Sequence, residues 1–289
     1  MNTQKMKSQF ARRDFRKSVY ILPSLFTIGN IFCGFYAVIN SLKAYQSFQQ
    51  PDIAVIFFDH AALAIGIAYV LDGLDGRIAR LTGATSEFGV ELDSIADVIS
   101  FGIAPAVLAY TWGYGNISGY ERLAWGISFF FLICGALRLA RFNVLARSPR
   151  FETPGTSPKL DKRYFVGLPI PAAAGLVASF VYFKPEQLAG TNGVTRNWIL
   201  LAVVLLLSIL MVSTFRYASF KDMGPRSKQP FLVIPVMAAL IFSIISYSRW
   251  MLLLISIVYV AHGPVLKIWG LLNRARRVAS ESEPLSEDS

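Results

Sequence analysis

The chain alternates between long apolar segments and shorter polar ones. A helix of roughly 20 apolar residues crosses the hydrocarbon core of a bilayer, so each long apolar window predicts a membrane span. Eight spans are predicted, over residues 23–44, 53–80, 86–112, 122–143, 165–183, 197–215, 231–247 and 250–268. The pattern therefore predicts an all-α, polytopic integral membrane helical bundle of about eight transmembrane helices.

The two ends of the chain differ from this apolar region, residues 21–270. Residues 1–20 are rich in Lys and Arg and also contain Phe10, Phe15 and Tyr20. This combination predicts a basic amphipathic helix that lies in the membrane interface. Residues 271–289 end in the acidic, Ser-rich stretch "SESEPLSEDS", which predicts a disordered tail.

The distribution of positive charge predicts the topology. The formal net charge is +10. With a cytoplasmic N-terminus, all but five of the 28 Lys and Arg residues fall on the cytoplasmic side, as the positive-inside rule expects. Both termini are therefore predicted to be cytoplasmic. The positive charge is spread over several loops instead of one folded surface with base-stacking aromatics, which argues against nucleic acid as a partner.

Four carboxylates interrupt the apolar pattern in "LDGLDGRIARLTGATSEFGVELDSIADVIS", residues 71–100. Asp72 and Asp75 share a face of the second span, and Asp93 and Asp97 lie one turn apart on the third. Aspartates within a membrane are costly, and four of them repel one another unless a cation lies between them. Hard oxygen ligands in this number suit Mg²⁺ or Mn²⁺, and paired ions of this kind support displacement at phosphorus.

The residues around the aspartates favour a phosphate ligand. Gly76, Ala79 and Gly89 are small and leave room for a phosphorylated group, and Arg80 offers a planar donor for phosphate oxygens. Two alternatives are an ion-paired structural network and the ion pathway of an ion-coupled membrane transporter. The spacing of the aspartates with these glycines and the arginine favours phosphotransfer.

The segment reads D-x₂-D-G-x₂-A-R-x₈-G-x₃-D-x₃-D from Asp72 to Asp97. This pattern resembles the signature of the CDP-alcohol phosphatidyltransferases. The stretches "LPSLFTIGNIFCGFYAV", "CGALRLARFNV" and "YFVGLPIPAAAG" are similar to the bacterial phosphatidylserine synthase branch of that family. The resemblance extends from about residue 20 to residue 176, and the last third of the chain offers no usable motif.

The resemblance implies a reaction and a set of metal ligands. Asp72, Asp75 and Asp93 would bind two divalent cations, Mg²⁺ or Mn²⁺, and Asp97 would be both a ligand and the general base. The hydroxyl of L-serine would attack the phosphorus of CDP-diacylglycerol in line, giving phosphatidylserine and CMP. Glycerol 3-phosphate, an inositol phosphate or choline remain alternative acceptors, although an acceptor with a phosphate calls for more cationic groups than the pocket offers.

The resemblance also implies the residues that bind the substrates. The CDP-lipid would be bound by seven residues: Thr27, Asn30, Gly76, Ala79, Arg80, Ser86 and Gly89. Arg138 and Arg141 would bind the carboxylate of serine or a lipid phosphate, or would only snorkel toward the interface. The expected setting is a homodimer among the lipids of a bacterial-type cytoplasmic membrane, with the active site on the cytoplasmic side.

Overall fold

The protein is a bundle of helices in a computed structural model that describes residues 3–47, 49–82, 86–116, 119–147, 164–186, 191–218, 243 and 246–281. The α-helices are α1 (Thr3–Gln46), α2 (Pro51–Thr82), α3 (Glu87–Asp97), α4 (Ala104–Trp112), α5 (Glu121–Arg147), α6 (Ile170–Phe183), α7 (Thr191–Val212) and α8 (Ser248–Glu281). A π-helical segment, Val98–Ile103, joins α3 to α4, and a 3₁₀ turn, Tyr114–Asn116, follows α4. The described residues also form two three-residue strands, β1 (Tyr164–Val166) and β2 (Arg216–Ala218).

Among the residues that the structure describes, six helical segments are long and apolar enough to cross a membrane. They are Ser24–Gln46, Pro51–Ile78, Glu87–Trp112, Glu121–Val144, Thr195–Val212 and Ser248–Lys267. The predicted class, a multi-pass helical membrane bundle, is confirmed. The predicted count of eight spans is not confirmed. Helix α6 is a shorter apolar helix, and the predicted span 231–247 lies almost entirely outside the described residues.

The helix within the predicted span 165–183 begins at Ile170, a few residues after the predicted start. Residues 164–166 form β1, which pairs antiparallel with β2 so that Phe165 lies opposite Tyr217. Gly167 then takes a φ of +81°, and a Cβ there would lie 2.4 Å from the carbonyl oxygen of Met211. Only glycine fits this turn, so α6 starts three residues later. The predicted span 197–215 likewise ends early, because the chain leaves α7 to form β2.

The first and last helices are longer than the spans predicted within them. Helix α1 is continuous, so the predicted interfacial helix and the first span form one helix. Helix α8 continues to Glu281, which makes residues 271–281 of the predicted tail helical. Residues 282–289 lie outside the described part of the chain.

A stripe of small side chains joins α1 to α2. Ala37 and Ala44 of α1 are fully buried, as are Ala61 and Ala68 of α2. Small residues let helix backbones approach closely in a membrane, where packing and hydrogen bonds drive helix association. Thr27 and Gly29 of α1 meet Asp75 and Leu71 of α2, so the C-terminal half of α2, which carries Asp72, lies against the middle of α1.

An ion pair joins α2 to the start of α8. Arg249 Nη2 lies 2.7 Å from Asp59 Oδ2, and Arg249 Nη1 donates to the carbonyl oxygen of Tyr182 on α6 at 2.9 Å. The guanidinium carbon also lies 4.9 Å from the centroid of the Tyr182 ring. One arginine therefore holds three helices together.

Replacing Asp59 by Asn is expected to lower the free energy of unfolding by about 1–3 kcal/mol, because a half-buried arginine loses its charged partner. Thermal unfolding in detergent measures the effect. Glu186→Gln is the control, since its pair with Lys184 spans 3.4 Å between well-exposed side chains, and exposed pairs contribute about 0–1 kcal/mol. Equal shifts in the two variants would contradict a stabilising role for the Asp59–Arg249 pair.

Candidate active site

Three carboxylates converge between α2 and α3. One carboxylate oxygen from each of Asp72, Asp93 and Asp97 lies within 4.8 Å of the other two. Asp93 and Asp97 lie one helical turn apart on α3, and Asp72 faces them from α2. All three side chains are partly buried, so their mutual repulsion is poorly screened by water.

Asp75 adjoins this group and is tied to α1. It is buried, and its Oδ2 accepts a hydrogen bond from Thr27 Oγ1. Its carboxylate interacts electrostatically with Asp72 and Asp93. The hydrogen bond orients one Asp75 oxygen toward α1, and a helix of the predicted CDP-lipid pocket thus contacts the acidic cluster directly.

Asp97 lies beside a cationic side chain. It interacts electrostatically with Arg138 of α5. Asp97 Oδ1 and Arg138 Nε are both buried and have no hydrogen-bond partner within the described ranges. Buried polar atoms of this kind usually have a partner, so both atoms are available to a ligand.

The backbone around α3 fixes the direction of its aspartates. Ser86 caps the helix, accepting a hydrogen bond from the backbone N–H of Gly89 at 3.0 Å. At the other end the π-helical segment begins directly after Asp97, and its Ser100 donates to the carbonyl oxygen of Asn30 at 2.8 Å. Segments of π-helix occur often at functional sites. Ser86 and Gly89 thus have a structural role in addition to their predicted ligand role.

The remaining predicted residues differ in their surroundings. Asn30 is 1% exposed, and neither atom of its side-chain amide finds a hydrogen-bond partner in the described part of the chain. A Cβ on Gly76 would meet open space. Arg141 is exposed, in contrast to Arg138. Ala79 and Arg80 belong to α2, but the structure does not describe their side chains.

Two tyrosines interact with residues of the site and were not identified from the sequence. Tyr69 interacts electrostatically with Asp72, and Tyr259 of α8 interacts with both Tyr69 and Arg138. Tyr69 precedes Asp72 by three residues on one helix, so the helical period could have indicated it. No sequence pattern indicates Tyr259.

The acidic cluster fits a divalent cation. Oxygens on opposite sides of one Mg²⁺ are about 4 Å apart, since each lies about 2.1 Å from the ion. The three carboxylate oxygens lie within 4.8 Å of one another, which leaves room for such an ion between them. The donors are all hard oxygens, and Asp97 retains a buried oxygen without a partner. A bound divalent cation would offset the repulsion among the carboxylates that Arg138 does not compensate.

Residues 20–210 match the CDP-alcohol phosphatidyltransferase family. The chain belongs to this family. The match spans α1 to α7 and includes the acidic cluster. Membership makes the chain a transferase that acts with a divalent metal ion, and it therefore argues against the transporter alternative.

Three relatives share one name, CDP-diacylglycerol–serine O-phosphatidyltransferase. The protein of Helicobacter pylori is 36% identical over 257 residues, which cover 83% of this chain and 95% of the relative. That of Mycobacterium leprae is 30% identical over 86% of this chain and 74% of its own length. That of Saccharomyces cerevisiae is 38% identical over 57% of this chain and 55% of its own length.

Proposed function

We propose that the protein transfers the phosphatidyl group of CDP-diacylglycerol to the hydroxyl of L-serine, giving phosphatidylserine and CMP. The observation that carries the proposal is the convergence of Asp72, Asp93 and Asp97 within 4.8 Å beside Arg138. The names of the relatives support the choice of both substrates.

Asp97 is the proposed general base. It would accept the proton of the serine hydroxyl as the hydroxyl oxygen forms a bond to the phosphorus that bears diacylglycerol. The bond from that phosphorus to the CMP oxygen breaks, and CMP leaves with the bonding electron pair. The buried Oδ1 of Asp97, which has no partner among the described residues, is available for this proton.

The other aspartates would hold two divalent cations, Mg²⁺ or Mn²⁺. Asp72, Asp75 and Asp93 are the proposed ligands, with Asp97 as a shared one. The bound ions would neutralise the diphosphate oxygens and the charge that develops on the leaving group. Thr27 fixes the rotamer of Asp75 through its hydrogen bond, which supports the geometry of the ligand set.

Two of the proposed CDP-lipid residues have surroundings that suit a ligand. Asn30 offers a buried donor and acceptor one turn from Thr27, and the open space at Gly76 lets a ligand approach α2. Ala79, Arg80, Ser86 and Gly89 complete the proposed set. Arg138 is the better candidate for the serine carboxylate, because it is partly buried beside Asp97 whereas Arg141 is exposed.

The proposed setting is a bacterial-type cytoplasmic membrane. Both termini and the active site would face the cytoplasm, where the basic loops lie under the positive-inside rule. The basic residues before Tyr20 support a proposed interfacial role for the start of α1. A homodimer is proposed from the resemblance to the family.

The acceptor can be identified by a comparison of alcohols. Purified protein in detergent, given CDP-diacylglycerol and Mg²⁺ or Mn²⁺, is expected to release CMP rapidly with L-serine. Glycerol 3-phosphate, inositol phosphate and choline are expected to give no more than the rate without an acceptor. Stimulation by one of these alcohols and not by serine would keep the family reaction and refute the serine assignment.

Removal of divalent cations is expected to reduce CMP release to background. Without them the four carboxylates repel both one another and the diphosphate of the substrate. Treatment with EDTA followed by titration with Mg²⁺, Mn²⁺ or Ca²⁺ measures the requirement. Full activity in the presence of excess EDTA would contradict a metal role for the cluster.

A further inference from the structure

Helix α8 is held against β2 by a glycine and a tyrosine. Tyr217 of β2 is fully buried, and a Cβ on Gly263 would lie 2.5 Å from Tyr217 Cζ. The tyrosine hydroxyl donates to the carbonyl oxygen of Val260 at 3.4 Å. Burial raises the pKa of Tyr217 to about 12, so it remains a neutral donor at neutral pH. The contact fixes the rotation of α8 in this region.

Tyr259 adjoins this contact and interacts with residues that border the acidic cluster. Tyr259 precedes Gly263 by one helical turn, and its ring centroid lies 6.0 Å from that of Tyr217. Its hydroxyl interacts electrostatically with Arg138 and with Tyr69. Arg138 in turn interacts with Asp97, and Tyr69 interacts with Asp72, so Tyr259 is coupled electrostatically to both sides of the acidic cluster.

The chemistry of Arg138 and Tyr259 differs from that of the acidic cluster. Arg138 offers only donors, and its Nε lacks a partner among the described residues. A tyrosine hydroxyl donates to a carboxylate without adding a charge, and it can also accept from an ammonium group. Arg138 and Tyr259 together therefore suit an acceptor that carries both a carboxylate and an ammonium group, as an amino acid does.

We propose that Tyr259 is a specificity-determining residue that binds, together with Arg138, the carboxylate of the amino-acid acceptor. The inference rests on the proposed function, because it takes serine as the acceptor. It assigns a role in the site to the last third of the chain, where the sequence contains no recognised motif.

The test compares Tyr259→Phe with Tyr247→Phe in the purified full-length protein. Both variants lose one hydroxyl, but Tyr247 is 66% exposed. Tyr259→Phe is expected to raise the KM for L-serine about tenfold, as the loss of about 1.4 kcal/mol of binding would. Its KM for CDP-diacylglycerol, its kcat and its unfolding temperature are expected to stay close to those of the unsubstituted protein. Tyr247→Phe should change none of these quantities.

Three results would overturn the inference. An unchanged serine KM in Tyr259→Phe would show that the hydroxyl does not bind the acceptor. A lower unfolding temperature with equal changes in both KM values would assign Tyr259 to packing. If the unsubstituted protein releases CMP only with another alcohol, the proposed function fails first, and the amino-acid role of Tyr259 fails with it.

Discussion

Replacing Asp97 by Asn is expected to lower the rate of CMP release by about a thousandfold. A positioned general base contributes about 10²–10⁴-fold to a rate, and Asn has almost the same shape but cannot accept the proton of the acceptor. The variant also weakens the set of oxygen ligands that meet within 4.8 Å. Initial rates with CDP-diacylglycerol, serine and saturating Mg²⁺ or Mn²⁺ measure the loss.

Glu91→Gln provides the matched control for this experiment. Glu91 belongs to the same helix but lines a cavity between α3 and α5 together with Ser94 and Asn143. Its replacement is expected to leave the rate within about twofold, in the range of surface changes. Unchanged CMP release by a folded Asp97→Asn variant would exclude Asp97 as the base.

Replacing Gly34 by Ala is expected to lower the unfolding temperature by several degrees and the rate of CMP release more than tenfold. A Cβ on Gly34 would lie 2.4 Å from Ser100 Oγ and 2.7 Å from Ser100 Cα. The second contact is with backbone, so α1 must move away from the π-helical segment, and overpacking of this kind costs about 1–3 kcal/mol. The move would break the hydrogen bond from Ser100 to Asn30 and shift Asp97, three residues earlier.

Gly66→Ala separates this steric effect from the effect of helix propensity. Gly66 lies within α2, and a Cβ there meets nothing within 4 Å. Alanine favours a helix by about 1 kcal/mol over glycine, so Gly66→Ala is expected to be neutral or stabilising. A Gly34→Ala variant with full stability and activity would show that the close contact of α1 with Ser100 does not position the site.

The features that the sequence predicts well are local in the chain. The spacing of Asp72, Asp93 and Asp97 depends only on the helical period and the positions of two apolar windows. The relation of Thr27 to Asn30 on α1 is local in the same way. How α1 and α2 are placed relative to each other depends on their small-residue contact. The apolar windows do not specify this contact.

The features that the sequence does not predict join distant segments. The pair of Asp59 and Arg249 links residues 190 positions apart, and an isolated charge near a span end gives no sign of its partner. The antiparallel pairing of β1 with β2 falls at the edges of two apolar windows, where hydrophobicity extends past the helix ends. The packing of Tyr217 of β2 against Gly263 of α8 likewise joins segments that no sequence pattern relates.

The most direct test of the central claim is the stoichiometry of the two products. Protein given CDP-diacylglycerol, labelled L-serine and a divalent cation is predicted to form CMP and labelled phosphatidylserine in equal amounts, and Asp97→Asn is predicted to lose both together. CMP without the labelled lipid would indicate hydrolysis instead of transfer. Formation of neither product by the unsubstituted protein would contradict the assignment of the acidic cluster as a phosphatidyl transfer site.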